Sequence, residues 1–295
     1  MKWRGGRQSS NVEDRSGRAA GSGGKIMAGG GIGTIVIAVL FFLFSGGDLN
    51  SVTDILGGGQ AANYQTENVA SDEYTEEKEF SAVVFGHLED YWNGVFKEEQ
   101  TAYQDPKLVL FTGSVQSACG NATSQVGPFY CPADQNVYLD LSFATELSQK
   151  YGANGDFAMA YVIAHEVGHH VQNELGITQQ LDKIRQQVSE KEYNQYSVRL
   201  ELQADYLAGT FAKYLQGETY NGQPILEAGD IEEAITAANA IGDDTLQKEY
   251  QGYVVPDSFT HGTSKQRVEW FNRGFKYGDL KHGDTFNEKN LDLVY

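Results

Sequence analysis

The chain has 295 residues and a formal net charge of −18 at pH 7. That length allows one large domain or two small ones, and either would bury a sizeable core. Residues 1–25 carry six basic and only two acidic side chains, so the remainder is more acidic still. Such an acidic body is expected to repel nucleic acid, and we exclude nucleic-acid binding as its function.

An uncharged segment of 19 residues follows the basic one, from Ile26 to Phe44. As a helix rising about 1.5 Å per residue it would span about 28 Å, close to the thickness of a bilayer's hydrocarbon core. The positive-inside rule then predicts a cytoplasmic tail over residues 1–25, a transmembrane helix over residues 26–45 and an extracytoplasmic body, in the bacterial periplasm or at the cell surface. A cleavable signal peptide is the competing interpretation, but its basic region would be unusually long.

The apolar segment also contains Gly29 and Gly33, two small residues about one helical turn apart. Such pairs allow transmembrane helices to approach closely. Self-association through this helix is therefore one interpretation, and ordinary tolerance of glycine in a membrane span is the other.

Residues 46–70 are rich in Gly, Ser, Asn, Gln and Thr and are predicted to be a flexible linker. Residues 71–295 are predicted to form one domain.

That domain begins with an amphipathic helix, predicted over residues 73–100 from apolar side chains spaced three and four apart. Two extended segments follow, 107–112 and 136–143, and the second alternates apolar and polar residues like a half-buried strand. Nearly everything beyond it has helical periodicity. The predicted helices cover residues 156–175, 179–189, 193–215, 231–241 and 264–275. A few strands followed by many helices predict a helix-dominated α+β fold.

The chain has two cysteines, Cys119 and Cys131. A pair this close in sequence would form a disulfide worth about 3 kcal/mol in the loop-entropy model, in an oxidising compartment. Two free thiols are the alternative. Neither cysteine belongs to a CxxC motif or has a histidine nearby, so we do not interpret them as metal ligands.

The candidate metal-binding and catalytic residues with the clearest pattern lie in the helix predicted over residues 156–175. His165 and His169 are four residues apart, so both imidazoles project from one face and can share one Zn²⁺ ion. Glu166 is placed to take a proton from water activated by that metal. A surface helix with accidental histidines is the alternative, but the apolar side chains around the motif argue against it.

Two histidines leave one protein ligand to be found. A metzincin would need Gly at position 172 and His at position 175, where this chain has Gln172 and Leu175, so that class is excluded. On a later helix, Glu201 and Asp205 lie one turn apart: Glu201 can coordinate the metal while Asp205 accepts the far N–H of a ligand histidine. The alternative is that Glu201 and Asp205 form an acidic turn on a solvated helix face. The histidine motif upstream favours the ligand interpretation.

Three motifs are also similar to a known family. They are His-Glu-Val-Gly-His-His-Val-Gln at 165–172, Glu-Leu-Gln-Ala-Asp at 201–205 and His-Gly-Thr-Ser-Lys-Gln-Arg at 261–267. Together they resemble the bacterial family called putative neutral zinc metallopeptidases, and the order of the first two resembles the wider gluzincin class. The resemblance covers about residues 70–290, and it includes the basic N-terminus, the membrane span and the paired cysteines.

The resemblance implies a zincin-like domain with a small sheet and assigns a role to each motif residue. Zinc ligands would be His165, His169 and Glu201, with Glu166 as the catalytic residue and Asp205 orienting a ligand histidine. The resemblance alone singles out His261, which would either stabilise the oxyanion of the tetrahedral intermediate or hold its loop against the body. Thr263 or Ser264 is expected to cap the helix that follows. The resemblance supplies no substrate.

The sequence therefore predicts a membrane-anchored zinc peptidase that hydrolyses peptide bonds by metal-activated water. Peptides or proteins are the expected substrates, and the strand at 136–143 is expected to align an extended peptide by backbone pairing. The alternative is a non-catalytic zinc-binding or protein-interaction module tethered to the membrane. The two differ at the fourth coordination position, which a catalytic site leaves open and a structural site fills with a side chain.

Overall fold

A computed structural model describes residues 1–17 and 74–292. Within these residues the helices are α1 (Thr75–Glu98), α2 (Phe143–Gln149), α3 (Asp156–Glu174), α4 (Ile177–Arg185), α5 (Glu190–Gly217), α6 (Asp230–Ala240), α7 (Asp243–Gln251) and α8 (Ser264–Tyr277). The strands are β1 (Val12–Asp14), β2 (Lys107–Phe111), β3 (Ser114–Ser117), β4 (Gly120–Thr123), β5 (Phe129–Cys131), β6 (Asn136–Asp140), β7 (Thr219–Tyr220) and β8 (Gln223–Pro224). The fold of the described residues is α+β and dominated by helix, as the sequence predicts.

The main sheet has the strand order β1-β2-β6-β5. β1, β2 and β6 run parallel, whereas β5 pairs antiparallel with β6 and forms an edge of the sheet. β3 and β4 form a separate hairpin. A disulfide between Cys119 and Cys131 joins this hairpin to β5, which confirms the predicted pairing.

The N-terminal residues are part of the folded body. Val12 to Asp14 pair with Leu108 to Leu110 of β2, and the amide of Ser9 donates a hydrogen bond to the carbonyl oxygen of Ala82 in α1 at 2.9 Å. Met1 and Trp3 are buried in the same core as α1 and α3. The ring of Trp3 packs edge-on against Phe80, with 5.5 Å between centroids.

This packing corrects the predicted single-pass topology. Residues 1–17 share a sheet and a core with residues 74–292, so they cannot lie across a membrane from them, and a cytoplasmic tail opposite an extracytoplasmic body is wrong. In the described residues no helix is both long and apolar enough to cross a membrane. The predicted span at 26–45, with Gly29 and Gly33, and the predicted linker at 46–70 lie outside the described residues.

Three glycines allow the central helices to approach closely. A Cβ on Gly168 of α3 would lie 3.2 Å from the carbonyl oxygen of Ala204 in α5. A Cβ on Gly209 of α5 or on Gly274 of α8 would collide with a backbone oxygen of the other helix. Helix α5 is therefore held between α3 and α8 at backbone contact, which places its middle turns beside the histidines of α3.

Candidate metal centre and active site

Helices α3 and α5 bring the three predicted metal ligands together. Nε2 of His165 lies 3.2 Å from Oε2 of Glu201, and Nε2 of His169 lies 3.5 Å from Oε1 of the same carboxylate. One ligand atom from each residue falls within 4.8 Å of the others. His165 and Glu201 are buried, and His169 is half-buried at the edge of a cleft.

A buried network fixes the orientation of His165. Nδ1 of His165 lies 2.8 Å from Oδ1 of Asp205, as the sequence predicts for a ligand histidine and its supporting carboxylate. Arg267 donates to both oxygens of Asp205, from Nε at 2.8 Å and from Nη2 at 3.0 Å. The hydroxyl of Tyr161 donates to Oδ1 of Asp205 at 2.6 Å. These contacts leave Nε2 of His165 directed at Glu201.

The same network sets the charges of the site. Burial acts to raise the pKa of Asp205, but the charges and hydrogen bonds of Arg267 and His165 together outweigh it and lower the pKa to about 2. Burial acts to lower the pKa of His165, but Asp205, together with the hydrogen bond to Glu201, raises it to about 9. The pKa of Glu201 lies well below its usual value because the histidine charges outweigh its desolvation. Both carboxylates are therefore ionised at neutral pH.

His169 is oriented by its own helix. Its Nδ1 lies 2.9 Å from Oε1 of Gln172, one turn later, and Nε2 of Gln172 donates to the carbonyl oxygen of Leu200 at 2.7 Å. This arrangement makes Nδ1 of His169 the donor and leaves Nε2 to face Glu201. Gln172, which excluded the metzincin pattern, thus links the second histidine to α5.

Glu166 lines the same cleft as the three ligands. In the described part of the chain its carboxylate accepts no hydrogen bond, so both oxygens are available to a water or a substrate. Desolvation raises the pKa of Glu166, although the nearby histidines oppose the shift. A carboxylate with a raised pKa is a stronger base, which suits proton transfer.

His261 also lines the cleft and is buried. Its Nδ1 lies 3.0 Å from Oδ1 of Asp243, and Oδ2 of Asp243 accepts from the amides of Thr260, His261 and Gly262 at 2.8, 2.7 and 3.0 Å. Asp243, at the start of α7, therefore fixes both the loop and the imidazole. Thr263 caps the following helix in a capping box with Gln266.

Comparison with known proteins then decides the family. The family model described as putative neutral zinc metallopeptidase matches residues 1–286. The chain belongs to this family. It is 45% identical over 293 residues to the uncharacterized protein YpfJ of Escherichia coli, covering 98% of this chain and 99% of that protein. It is 40% identical over 205 residues to the uncharacterized protein Rv2575 of Mycobacterium tuberculosis, covering 68% of each chain. No solved structure matches the chain significantly.

The zinc in the family's description fits the donor set of the site. Two imidazole nitrogens and one carboxylate are ligands that zinc accepts in a catalytic arrangement. A second acidic group, formed by Asp156, Asp230 and Glu233, offers only oxygen atoms. The amino group of Met1 lies within this second group, 2.6 Å from Asp156 and 3.1 Å from Asp230. Of the two groups, the histidine group therefore suits zinc better.

The structure corrects the position of the strand beside the site. β6 (Asn136–Asp140) lies inside the sheet between β2 and β5, so its backbone is already paired on both sides. It ends at Asp140, whose side chain accepts from the amide of Ser142 and turns the chain into α2. The edge strand β5 lines the cleft through Phe129 and Tyr130 instead.

His170 points away from the metal ligands and connects the cleft wall to α3. Its Nε2 donates to the carbonyl oxygen of Gln104 at 2.7 Å, which leaves Nδ1 to accept from the hydroxyl of Tyr130 at 3.0 Å. β5 is thereby anchored to the residue that follows the second ligand. This tether was not predicted, because Tyr130 lies forty positions from His170 in sequence.

Sequence reasoning also missed Tyr161, Arg267 and Asp243 as parts of the site. Tyr161 carries a local signal, because it precedes His165 by four residues on the same helix face. Arg267 ends the third motif but was given no role. Asp243 has no sequence signal connecting it with His261, since the two meet only because the connection between α7 and α8, residues 252–263, folds back onto the start of α7.

Proposed function

We propose that the protein is a zinc-dependent peptidase that hydrolyses peptide bonds. The observation that carries the proposal is the convergence of His165, His169 and Glu201 beside Glu166, which faces the same cleft. The zinc metallopeptidase family supports the choice of metal and reaction class. Zinc bound there would act as a Lewis acid that polarises the scissile carbonyl and acidifies water.

The open side of the site favours catalysis over a structural zinc role. In the described residues the ligand group contains three side chains, and structural zinc sites have four. Glu166 is half-buried at the cleft, where a water and a substrate carbonyl have access. A non-catalytic module would need neither that access nor a carboxylate of raised pKa there.

In the proposed reaction Glu166 acts as the general base. Its carboxylate takes a proton from the attacking water, and the resulting carboxylic acid delivers that proton to the departing amine as the C–N bond breaks. Asp205 and Arg267 act indirectly, by keeping His165 in one orientation. Their burial excludes water from the network and limits its rearrangement during the reaction.

His261 is the proposed stabiliser of the tetrahedral intermediate. With Nδ1 held by Asp243, the imidazole directs Nε2 at the cleft, where an N–H donor would bind the developing oxyanion. Removing such a donor typically costs a factor of about 100 to 1,000 in kcat. β5 is the proposed strand for aligning an extended substrate, because it is the sheet edge that lines the cleft.

The experiment is zinc analysis combined with peptide hydrolysis on the purified chain. We expect about one zinc per chain, loss of hydrolysis with a chelator and recovery with added zinc. Glu201→Ala should lower zinc content and hydrolysis together, whereas His282→Ala, a surface histidine paired with Asp279, should change neither. Full zinc retention by Glu201→Ala would reject the third ligand, and hydrolysis that resists complete zinc removal would reject the proposal.

A further inference from the structure

Most side chains that line the cleft are apolar. Among the apolar residues that line it, one group comes from α2, α3, α6 and α7 or the residues next to them, and we call this group the apolar end: Phe143, Tyr151, Val162, Ile241 and Leu246. Both α2 and α6 pack against α3, and Glu233 of α6 accepts a hydrogen bond from the amide of Phe157 in the first turn of α3 at 3.0 Å. The apolar end therefore lies toward the N-terminal half of α3.

The apolar end begins one helical turn from the proposed general base. Val162 precedes His165 by three residues and Glu166 by four, so the three side chains share one face of α3. Neighbours at this spacing have Cβ atoms about 5–6 Å apart. A peptide whose scissile bond lies at Glu166 would therefore place an adjacent side chain at the apolar end.

The lining offers no partner to a charged substrate side chain. Among the described residues that line the cleft, every acidic, basic or histidine side chain belongs to the site itself: His165, Glu166, His169, Glu201, His261 and Arg267. Glu166 and Arg267 both border the apolar end. Glu166 is committed to the proposed proton transfer, and each nitrogen of Arg267 already donates a hydrogen bond within the protein. Nε and Nη2 donate to Asp205, and Nη1 donates to the carbonyl oxygen of Ile241 at 3.2 Å.

We propose that the apolar end is a specificity pocket for a bulky apolar or aromatic residue immediately beside the scissile bond. This inference rests on the proposed peptidase function. Such a residue would replace water against the aromatic rings and aliphatic side chains of the apolar end, whereas a charged residue would lose its hydration without gaining an ion pair. Apolar pockets discriminate by about 10- to 200-fold per missing methylene group, so Phe and Leu should exceed Ala by at least about tenfold in kcat/KM.

The negative net charge of the protein predicts a different preference, for cationic peptides. At −18 the chain attracts cationic peptides over long distances, which would raise their association rate. That attraction is screened by salt, whereas burial of an apolar side chain is not. A preference set by the apolar end should therefore persist when the salt concentration rises from 0.05 to about 0.5 M, a range over which the screening length falls severalfold.

The test uses the zinc-loaded full chain and quenched-fluorescence peptides that differ at one position, occupied by Phe, Leu, Ala, Asp or Lys. Mass spectrometry locates the cleaved bond in each peptide. We expect Phe and Leu peptides to be cleaved next to the varied residue, at least about tenfold faster than Ala and about a hundredfold faster than Asp or Lys. Equal rates for all five, or a salt-sensitive preference for Lys, would overturn the inference.

Ile241→Trp tests whether the apolar end is responsible. Ile241 is half-buried, so a larger side chain can extend into the cleft without overpacking the core. This variant should keep its zinc, and its kcat/KM for Phe peptides should fall at least about tenfold relative to that for Ala peptides. Val255→Trp, at an exposed position outside the cleft, is the matched control and should keep the original preference. An unchanged Phe preference in a folded, zinc-loaded Ile241→Trp protein would overturn the assignment.

Peptide binding to Glu166→Gln separates this inference from the proposed function. If the wild-type chain cleaves none of the peptides, the peptidase proposal fails. Fluorescence anisotropy with the zinc-loaded variant then reports whether Phe peptides still bind more tightly than Ala and Lys peptides. Selective binding supports the pocket whether or not hydrolysis occurs, and equal binding of all peptides overturns it.

Discussion

Oδ1 of Asp205 lies 2.8 Å from Nδ1 of His165, and Oδ2 of the same carboxylate lies 2.8 Å from Nε of Arg267. The carboxylate thus connects a proposed zinc ligand to a buried guanidinium, each of whose nitrogens donates a hydrogen bond. Because Arg267 keeps Asp205 ionised, the ring of His165 is held with its Nε2 toward Glu201. The proposed zinc affinity therefore depends on residues that do not touch the metal.

Asp205→Asn is expected to weaken zinc binding by about 10- to 100-fold, the usual cost of losing a carboxylate that orients a ligand histidine. The amide keeps the size of the side chain but removes the charge that balances Arg267. Competition with a zinc-binding dye measures the affinity. Asp292→Asn, at an exposed position, is the control. Wild-type affinity in a folded Asp205→Asn protein would contradict the orienting role.

Asp243→Asn should lower kcat by about tenfold or more while leaving zinc content unchanged. The substitution removes the charged partner of His261 Nδ1, so the imidazole is no longer fixed toward the cleft. His261→Ala should lower kcat by about a hundredfold, as for other lost oxyanion donors. Steady-state kinetics with parallel zinc analysis checks both variants. Unchanged kcat in His261→Ala would show that this histidine only holds its loop.

Tyr130→Phe should raise KM more than it lowers kcat. The hydroxyl of Tyr130 reaches His170, so its loss releases the cleft wall formed by β5 without touching the metal ligands. A loss of about threefold to tenfold in kcat/KM corresponds to one hydrogen bond of ordinary strength. Tyr277→Phe, on the exposed face of α8, is the control. Equal loss of zinc and kcat would instead indicate that the tether supports the metal site.

Trp3→Ala should destabilise the protein by about 3–5 kcal/mol, as for other buried aromatic residues truncated to alanine. The neighbouring Arg4→Ala removes an exposed side chain and should change stability by less than about 0.5 kcal/mol. Chemical denaturation followed by tyrosine and tryptophan fluorescence measures both. Equal stability of the two variants would contradict the packing of residues 1–17 in the core, on which the correction of the predicted topology depends.

The convergence of the proposed metal ligands was predictable because its signals are local. His165 and His169, like Glu201 and Asp205, are four residues apart on helices whose apolar periodicity is plain, so helical geometry places each pair on one face. The helices over 156–175 and 193–215 correspond to α3 and α5, with boundaries that differ by up to three residues.

The placement of residues 1–17 was not predictable from local signals. Pairing of Val12–Asp14 with β2 joins positions about a hundred residues apart, and three residues carry almost no periodicity. Basic side chains before an apolar run are typical of a membrane anchor, and that pattern misled the interpretation of the N-terminus. α2 and α7 were missed because they bury too few apolar side chains to show a clear apolar face, Phe143 and Leu147 in α2 and Leu246 alone in α7.

The central claim is that Glu166 is the general base of a zinc peptidase, and one comparison tests it most directly. Glu166→Gln and Glu174→Gln, which change two glutamates of the same helix, should both fold and bind about one zinc per chain. Hydrolysis of a Phe-containing peptide should fall by about a hundredfold or more in Glu166→Gln and stay at the wild-type rate in Glu174→Gln. Undiminished hydrolysis by zinc-loaded Glu166→Gln would contradict the account.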